Sequence, residues 1–388
     1  MKILHTVKQY YPSIGGMQEV VKQLSERLVK LGHEVTVATS CRVDRKYYNL
    51  NGVQVKSFKI SGNAVRGYEG KVNEIKRYQN FLINSDFDII TNFAAQQWAT
   101  DLALKILKKI KAKKVFVPTG FSGLYYPCYK EYFVKMIDWM KQYDMNVFLS
   151  SNYRDINFAR DHNISKLVII PNGAGADEFL SKIDFDIRKL FNIKLNDFIV
   201  LLVGSHTGKK GHKEAIKIFQ VANLKNSTLI IVANIYSINC YLSCKLKSFI
   251  NNLFNKNKIL IKTLDRRKTV SAYQQADLFL FPSNIECSPL VLFEAMASKT
   301  PFLTTEVGNT KEIIEWSNSG MLLPTKKNKK SYSCAQIDES ADLLRKLYNS
   351  KVLREKMIQN GFNAWNNKFT WEKITKNYEN LYKSLLWS

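Results

Sequence analysis

Two glutamates stand eight positions apart in the stretch ECSPLVLFE, residues 286–294. Ser288 is a good helix N-cap, and Pro289 suits the first helical position. The expected helix reads Leu290, Val291, Leu292, Phe293, Glu294, Ala295, Met296, Ala297. It is almost wholly apolar, so burial is expected. A buried carboxylate without partners is costly, and Glu294 therefore requires them. Glu286 precedes the helix in a loop. First-turn amides have no acceptor inside their own helix and favour an anion at its start. The stretch thus offers amides for a phosphate and a carboxylate on either side for hydroxyl pairs, the groups a sugar nucleotide presents. The alternative is a capped core helix whose glutamates meet internal arginines or lysines. This stretch alone does not decide between them.

Two other loops carry related chemistry. In YYPSIGGMQEVVKQLSERLVKLGHEVTV (10–37) a strand ends and Gly15-Gly16 turn the chain. A helix follows with Val20, Leu24, Leu28 and Leu31 on one stripe, and Gly32 stops it. Paired glycines let backbone approach a phosphate closely. The pattern is neither a GxGxxG fingerprint nor a Walker loop, and a plain strand–helix turn is the alternative. In LLVGSHTGKKGHKEAIKIF (201–219) a buried strand ends in glycine and a helix begins near Gly211. Lys209, Lys210 and His212 cluster there, where lysine can neutralise a diphosphate. A solvated basic turn is the alternative. After the Glu286 loop, the next strand ends near Gly308-Asn309, which brings several loops to one sheet edge.

The elements that must position these loops are legible as short apolar runs. In the first half they fall at 2–7, 34–40, 53–58, 87–92, 114–118, 146–150 and 167–171. In the second half they fall at 198–204, 227–233, 258–263, 277–282, 300–305 and 320–324. Near-continuous apolar strands alternating with helices predict parallel, doubly wound α/β sheets covered on both faces. Two such series predict two Rossmann-like domains, 1–185 and 190–370, with a ligand in the cleft they would share. The last segment, 371–388, places Ile374, Tyr378, Leu381, Tyr382 and Leu385 on one face and reads as a closing helix.

With 388 residues, 45% of them hydrophobic, the chain suits two cored domains. The formal net charge of +25 favours polyanionic surroundings without saying which. Cys240 and Cys244 form the one close pair among six cysteines, and neither a second pair nor a histidine cluster completes a zinc site. The first apolar run is too short for a signal peptide, and no window reaches membrane-spanning length. The expected location is the cytoplasm, in solution or peripheral on the inner face of the cell membrane.

Taken together and in order, these motifs resemble the family-4 retaining glycosyltransferases of the GT-B fold. The resemblance rests on Glu286 to Glu294, Gly15-Gly16, VIIPNGAGADEF (168–179), Lys210-Gly211 and ADLFLFPS (276–283). It implies a nucleotide-sugar donor on the second domain and an acceptor on the first. It further implies Lys210 at the diphosphate and the amides of Leu290 and Val291, with the Ser288-Pro289 turn, at phosphate and sugar. Glu286 would bind the donor sugar, Glu294 the ribose diol, and Gly16 would bring an amide to the phosphate. Lys210 and Glu286 are the expected catalytic groups. Two departures stand out. Ser205 occupies the position where the family has arginine, leaving His206 or Lys209 as replacement, and Thr119-Gly120 stand where a histidine is expected.

No aspartate pair is placed for metal binding, so metal-independent transfer without a cofactor is expected. The acceptor would be a glycan or lipid-linked sugar of a surface polysaccharide such as lipopolysaccharide or capsule. The lysine-rich KILKKIKAKK (105–114) offers an anionic membrane contact, or a solvated helix face over a core stripe. Tyr125, Tyr126, Tyr129, Tyr132 and Phe133 could line a groove or simply pack. The competing readings are a sugar-nucleotide epimerase of the same fold and a silent nucleotide-binding relative. Nucleic acid is not an expected partner, because no recognition motif accompanies the charge.

Overall fold

The computed structural model describes residues 1–255, 257–328 and 331–387. The chain divides into two compact units, one formed by Met1–Asn172 with Trp371–Ser388 and the other by Gly173–Thr370. Residues 173–185 therefore belong to the second unit, not the first.

The first unit is built on an eight-stranded sheet. Its strands are β1 (Lys2–Thr6), β2 (Glu34–Ser40), β3 (Asn49–Leu50), β4 (Val53–Phe58), β5 (Ile89–Phe93), β6 (Lys113–Val117), β7 (Met145–Phe148) and β8 (Leu167–Ile169). They lie in the order β8-β7-β6-β5-β1-β2-β4-β3. All neighbours are parallel except the short edge pair β3–β4. The glycine turn at 15–16 opens helix α1 (Gly16–Lys30), whose Val20, Val21, Leu24 and Leu28 are buried.

The second unit carries six parallel strands: β9 (Phe198–Val203), β10 (Ser227–Val232), β11 (Lys258–Lys262), β12 (Leu278–Phe281), β13 (Phe302–Thr305) and β14 (Gly320–Leu323). Their order is β11-β10-β9-β12-β13-β14. The order reverses between β9 and β12, which is the switch point where open α/β sheets bind ligands. Its helices include α2 (His212–Ala222), α3 (Ile238–Phe254), α4 (Arg266–Gln274) and α5 (Leu290–Ala297). Both faces of the sheet are packed. Leu202, Ile216 and Leu229 belong to one apolar cluster, and Leu201, Ile230 and Phe293 to the other.

The C-terminal helix α6 (Trp371–Trp387) returns to the first unit. It buries Ile374, Tyr378, Tyr382 and Leu385, while Leu381 is only half-buried. Glu372 accepts from Arg27, and the Tyr382 hydroxyl lies 2.8 Å from Thr91 Oγ1, so the helix is tied to α1 and to β5. Among the described residues no helix is long and apolar enough to cross a membrane.

Candidate functional site

The second unit assembles its site from the loops that leave β9, β12 and β13. Gly211 adopts a left-handed conformation (φ +70°), and a Cβ there would lie 1.9 Å from the Pro282 carbonyl oxygen. Only glycine lets the two loops touch so closely. Asn284 N–H donates to the Lys209 carbonyl at 2.9 Å, and the Ser283 hydroxyl oxygen lies 3.2 Å from the same carbonyl. The third loop joins through Asn309 N–H, which donates to the Cys287 carbonyl at 2.9 Å. Gly308 is again left-handed (φ +56°), with its missing Cβ pointing at that same carbonyl.

Lys210 and Glu286 meet in this frame. Lys210 Nζ donates to Glu286 Oε1 at 2.6 Å, and the Ser283 hydroxyl donates to the same oxygen at 2.7 Å. The Glu286 side chain is 11% exposed and that of Lys210 29%, so the pair sits at a surface, not in the core. Ser205 is half-buried in the loop after β9. His206 does not offer its imidazole to a phosphate at this edge, because its side chain is fully buried. His212 is also turned inward, its Nε2 donating to the Gly204 carbonyl. Lys209 is exposed, with its ammonium 5.4 Å from the centre of the Tyr332 ring.

Helix α5 begins at Leu290. Pro289, with ψ 115°, is its extended cap residue and no side chain caps it. Ser288 is therefore not the N-cap and Pro289 is not inside the first turn. The amides of Leu290 and Val291 remain in that turn, where a helix supplies no acceptor.

Glu294 has an arginine partner, the alternative that the sequence left open, and so does not depend on a ligand to be satisfied. Arg266, on α4, donates from Nη1 to Glu294 Oε1 at 2.6 Å. The same guanidinium forms a two-point bond with Glu178, at 2.8 Å on each side. The carboxylate is nearly buried, yet its cation is 38% exposed. The pair is thus at the rim of the unit, and both pair energies are weakened by solvent. The Tyr273 hydroxyl is pushed well above its usual range, first by burial and next by the charge of Glu294. Nothing in the sequence pattern singled out Arg266. Its place at the start of the helix after β11, on the ligand-facing edge, is the signal that could have.

In the first unit, Gly15 is extended and Gly16 opens α1. A Cβ on Gly16 would meet nothing within 4 Å, so no packing demands glycine there. The carboxyl ends of β1, β2 and β4 border a cavity of about 430 Å³ lined by Lys8, Ser40, Arg42, Lys59 and Glu69 among others. A second cavity of similar size is lined by Leu124, Tyr125, Tyr126, Phe133, Val134 and Phe158, with further residues of the same segments. Tyr125 and Tyr126 are exposed, whereas Tyr129, Tyr132 and Phe133 are buried packing.

The loop where a histidine was expected is strained. Thr119, Gly120 and Phe121 have φ of 59°, 100° and 45° in succession. A β-branched residue at positive φ is an outlier that its surroundings must hold. Asp155 does so, accepting from Gly120 N–H at 2.7 Å. Burial pushes its carboxyl up to about 6, against the amides of Gly120 and Ile156, which pull it down. An unfolded aspartate titrates near ~3.9. The folded chain therefore holds an extra proton between these values, and stability from this group is lost as pH rises through about 6. The unfolding free energy of wild type relative to Asp155→Asn should fall from pH 4 to pH 7. A difference that stays flat in paired denaturant titrations would refute this.

Two family models match successive parts of the chain. Residues 14–178 match the group described as Glycosyltransferase Family 4, and residues 184–364 match Glycosyl transferases group 1. The chain is a family-4 glycosyltransferase. This glycosyltransferase is 25% identical to an uncharacterized glycosyltransferase of Methanocaldococcus jannaschii, over 99% of this chain and 98% of that one. It is 26% identical to the capsular polysaccharide biosynthesis glycosyltransferase CapM of Staphylococcus aureus, over 59% and 58% of the two chains. In three dimensions it is similar to Anabaena HepE, solved in complex with UDP and glucose. The TM-score is 0.76 at 14% identity, covering 99% of this chain and 100% of that one. The fold is GT-B, with two Rossmann-like units.

Proposed function

We propose that this enzyme moves a sugar from a nucleotide-sugar donor to a glycan or lipid-linked acceptor, with retention and without a metal ion, during assembly of a surface polysaccharide. The observation that carries the reading is the convergence of Lys210, Glu286 and the first turn of α5 at the switch point between β9 and β12. The UDP and glucose bound by HepE support the donor class, and the capsule role of CapM supports the product class.

Both glutamates are already paired, so binding is an exchange. A diphosphate draws Lys210 toward itself and frees Glu286 Oε1 for the hydroxyls of the sugar. The amides of Leu290 and Val291, with the Ser288-Pro289 turn and Ser205, complete the phosphate cradle. Glu294 keeps Arg266 and accepts from the ribose diol with its remaining lone pairs. In the transfer, the bond from the anomeric carbon to the acceptor oxygen forms as the bond to phosphate breaks. The acceptor proton passes to the leaving phosphate. Lysine and amides stabilise the charge that develops there.

Thermal unfolding with UDP tests the donor site. UDP should raise the midpoint equally in magnesium and in EDTA, and Glu294→Ala should abolish the shift. A shift that requires magnesium, or none with any nucleoside diphosphate, would overturn the reading. Release of sugar from a labelled donor separates a working transferase from a silent relative.

Of the two readings of 105–114, burial supports the core stripe. The stretch is broken into a turn at Leu107–Lys109 and the start of β6, and Leu107 and Ile110 are buried in the first unit. Helix α3 presents the outward apolar face instead. Ile238, Leu242, Leu246, Phe249, Ile250 and Leu253 are all exposed at helical spacing. No acidic residue occurs from 227 to 264, while Lys245 and Lys247 lie on the helix. An anionic bilayer fits that combination. Wild type should float with phosphatidylglycerol vesicles and not with phosphatidylcholine vesicles, and Leu246→Asp with Phe249→Asp should remove flotation. Unchanged flotation of the variant would contradict this face.

A further inference from the structure

The sequence pattern leaves Cys240 and Cys244 without a histidine, but the fold supplies one. His206, in the loop after β9, lies against α3, and one ring nitrogen and both sulfurs fall within 4.8 Å of one another. His206 and Cys244 are fully buried and Cys240 nearly so. His206 Nδ1 is 3.5 Å from Cys240 Sγ. Two ligands on a tetrahedral zinc ion, with Zn–N and Zn–S bonds of about 2.05 and 2.3 Å, stand about 3.6 Å apart. Cys240 and Cys244 are one turn apart on the same helix face, so their sulfurs point to one spot.

Two buried nitrogens beside this cluster lack partners: His206 Nε2 and His212 Nδ1. The two rings stack with centres 4.2 Å apart. Such atoms are costly to leave unsatisfied and are themselves a sign of a missing partner. The backbone around them is firmly held. His206 N–H donates to the Asn234 carbonyl at 2.8 Å, and Ser237 N–H donates to the His206 carbonyl at 2.6 Å. Ser237 in turn caps α3 by accepting from Cys240 N–H.

We infer that His206, Cys240 and Cys244 bind one thiophilic divalent cation of the zinc class, with the fourth position left to a solvent ligand. Two thiolates with imidazole select zinc over hard cations such as magnesium. Binding replaces one proton on each thiol, which leaves to solvent, and no redox change occurs. The ion is structural: it staples the loop carrying Ser205 and Lys210 to helix α3. The site stands independently of the proposed transfer reaction.

The test begins with the intact protein, purified under reducing and anaerobic conditions. Zinc should co-purify in equimolar amount by mass spectrometry of the metals. Exchange with cobalt(II) should produce thiolate-to-cobalt charge-transfer absorption together with strong d–d bands of tetrahedral geometry. Cys244→Ser should lose zinc affinity by more than the roughly 10–100-fold that removing a ligand's hydrogen-bond partner costs. Substitution of the exposed Cys41 and Cys128 by serine should change nothing. Should Cys244→Ser fail to fold, wild type still decides. Bound zinc must slow alkylation of Cys240 and Cys244, mapped by peptide mass. Wild type that takes up neither zinc nor cobalt, metal retained in folded Cys244→Ser, or a Cys240–Cys244 disulfide in the reduced preparation would each overturn the site.

Discussion

Lys210→Ala is expected to lower the turnover of sugar transfer by about 10²–10³-fold, the usual loss when one preorganised charge partner of a leaving group is removed. Lys210 is the ammonium that the structure brings to the switch point, held 2.6 Å from Glu286. Because the loop from Gly204 to Gly211 contains no arginine, no guanidinium there shares the load. Glu286→Gln should cost a comparable factor, since a neutral amide accepts sugar hydroxyls less well than a carboxylate. The two losses should not multiply in the double variant, because the side chains act on one another. Steady-state and single-turnover kinetics with a labelled donor measure all three. Full multiplicativity, or a Lys210→Ala enzyme within threefold of wild type (roughly 0.7 kcal/mol), would remove lysine from the role given to it.

Gly211→Ala should be the most damaging small substitution in the second unit. Its φ of +70° already disfavours any L side chain, and its Cβ would overlap the Pro282 carbonyl at 1.9 Å. Left-handed backbone costs about 1–2 kcal/mol, and displacing backbone from backbone adds to it. A total of about 3 kcal/mol is expected, seen as a fall of about 5–10 °C in the melting midpoint. The affected loop carries Lys210, so donor affinity should fall with stability. Gly16→Ala is the contrast: a Cβ there meets nothing within 4 Å. Its stability should stay within about 0.5 kcal/mol of wild type. Denaturant titration of both variants checks the pair, and equal stability would mean that the loops do not pack as described.

The contrast between these two glycines shows where local pattern stops. Each of the thirteen apolar runs forms a strand, because a parallel strand covered on both faces must be apolar along its whole length. Glycine loops before α1 and α2 and the two glutamates around α5 were legible for the same reason: backbone freedom and charge in an oily stretch are properties of a few neighbouring residues. The short edge strand Asn49–Leu50 was not, since two residues carry no period. The sequence pattern places Pro289 one position too far into the helix, whereas its ψ of 115° makes it the extended cap residue.

Pairings across loops were invisible. Arg266 reaches Glu294 and Glu178 only because β11, β12 and the segment before β9 bring separate stretches to one rim. His206 looked like a spare cation for a phosphate, yet the tertiary structure buries it against Cys240 and Cys244. The lysine-rich 105–114 looked amphipathic, but its apolar side is the core of the first unit, while α3 turns its own apolar side outward. The linear chain determined the strands, the turns and the kinds of charge available. Which charge meets which, and which greasy face stays wet, depends on strand order and burial, and these are set only when distant segments pack.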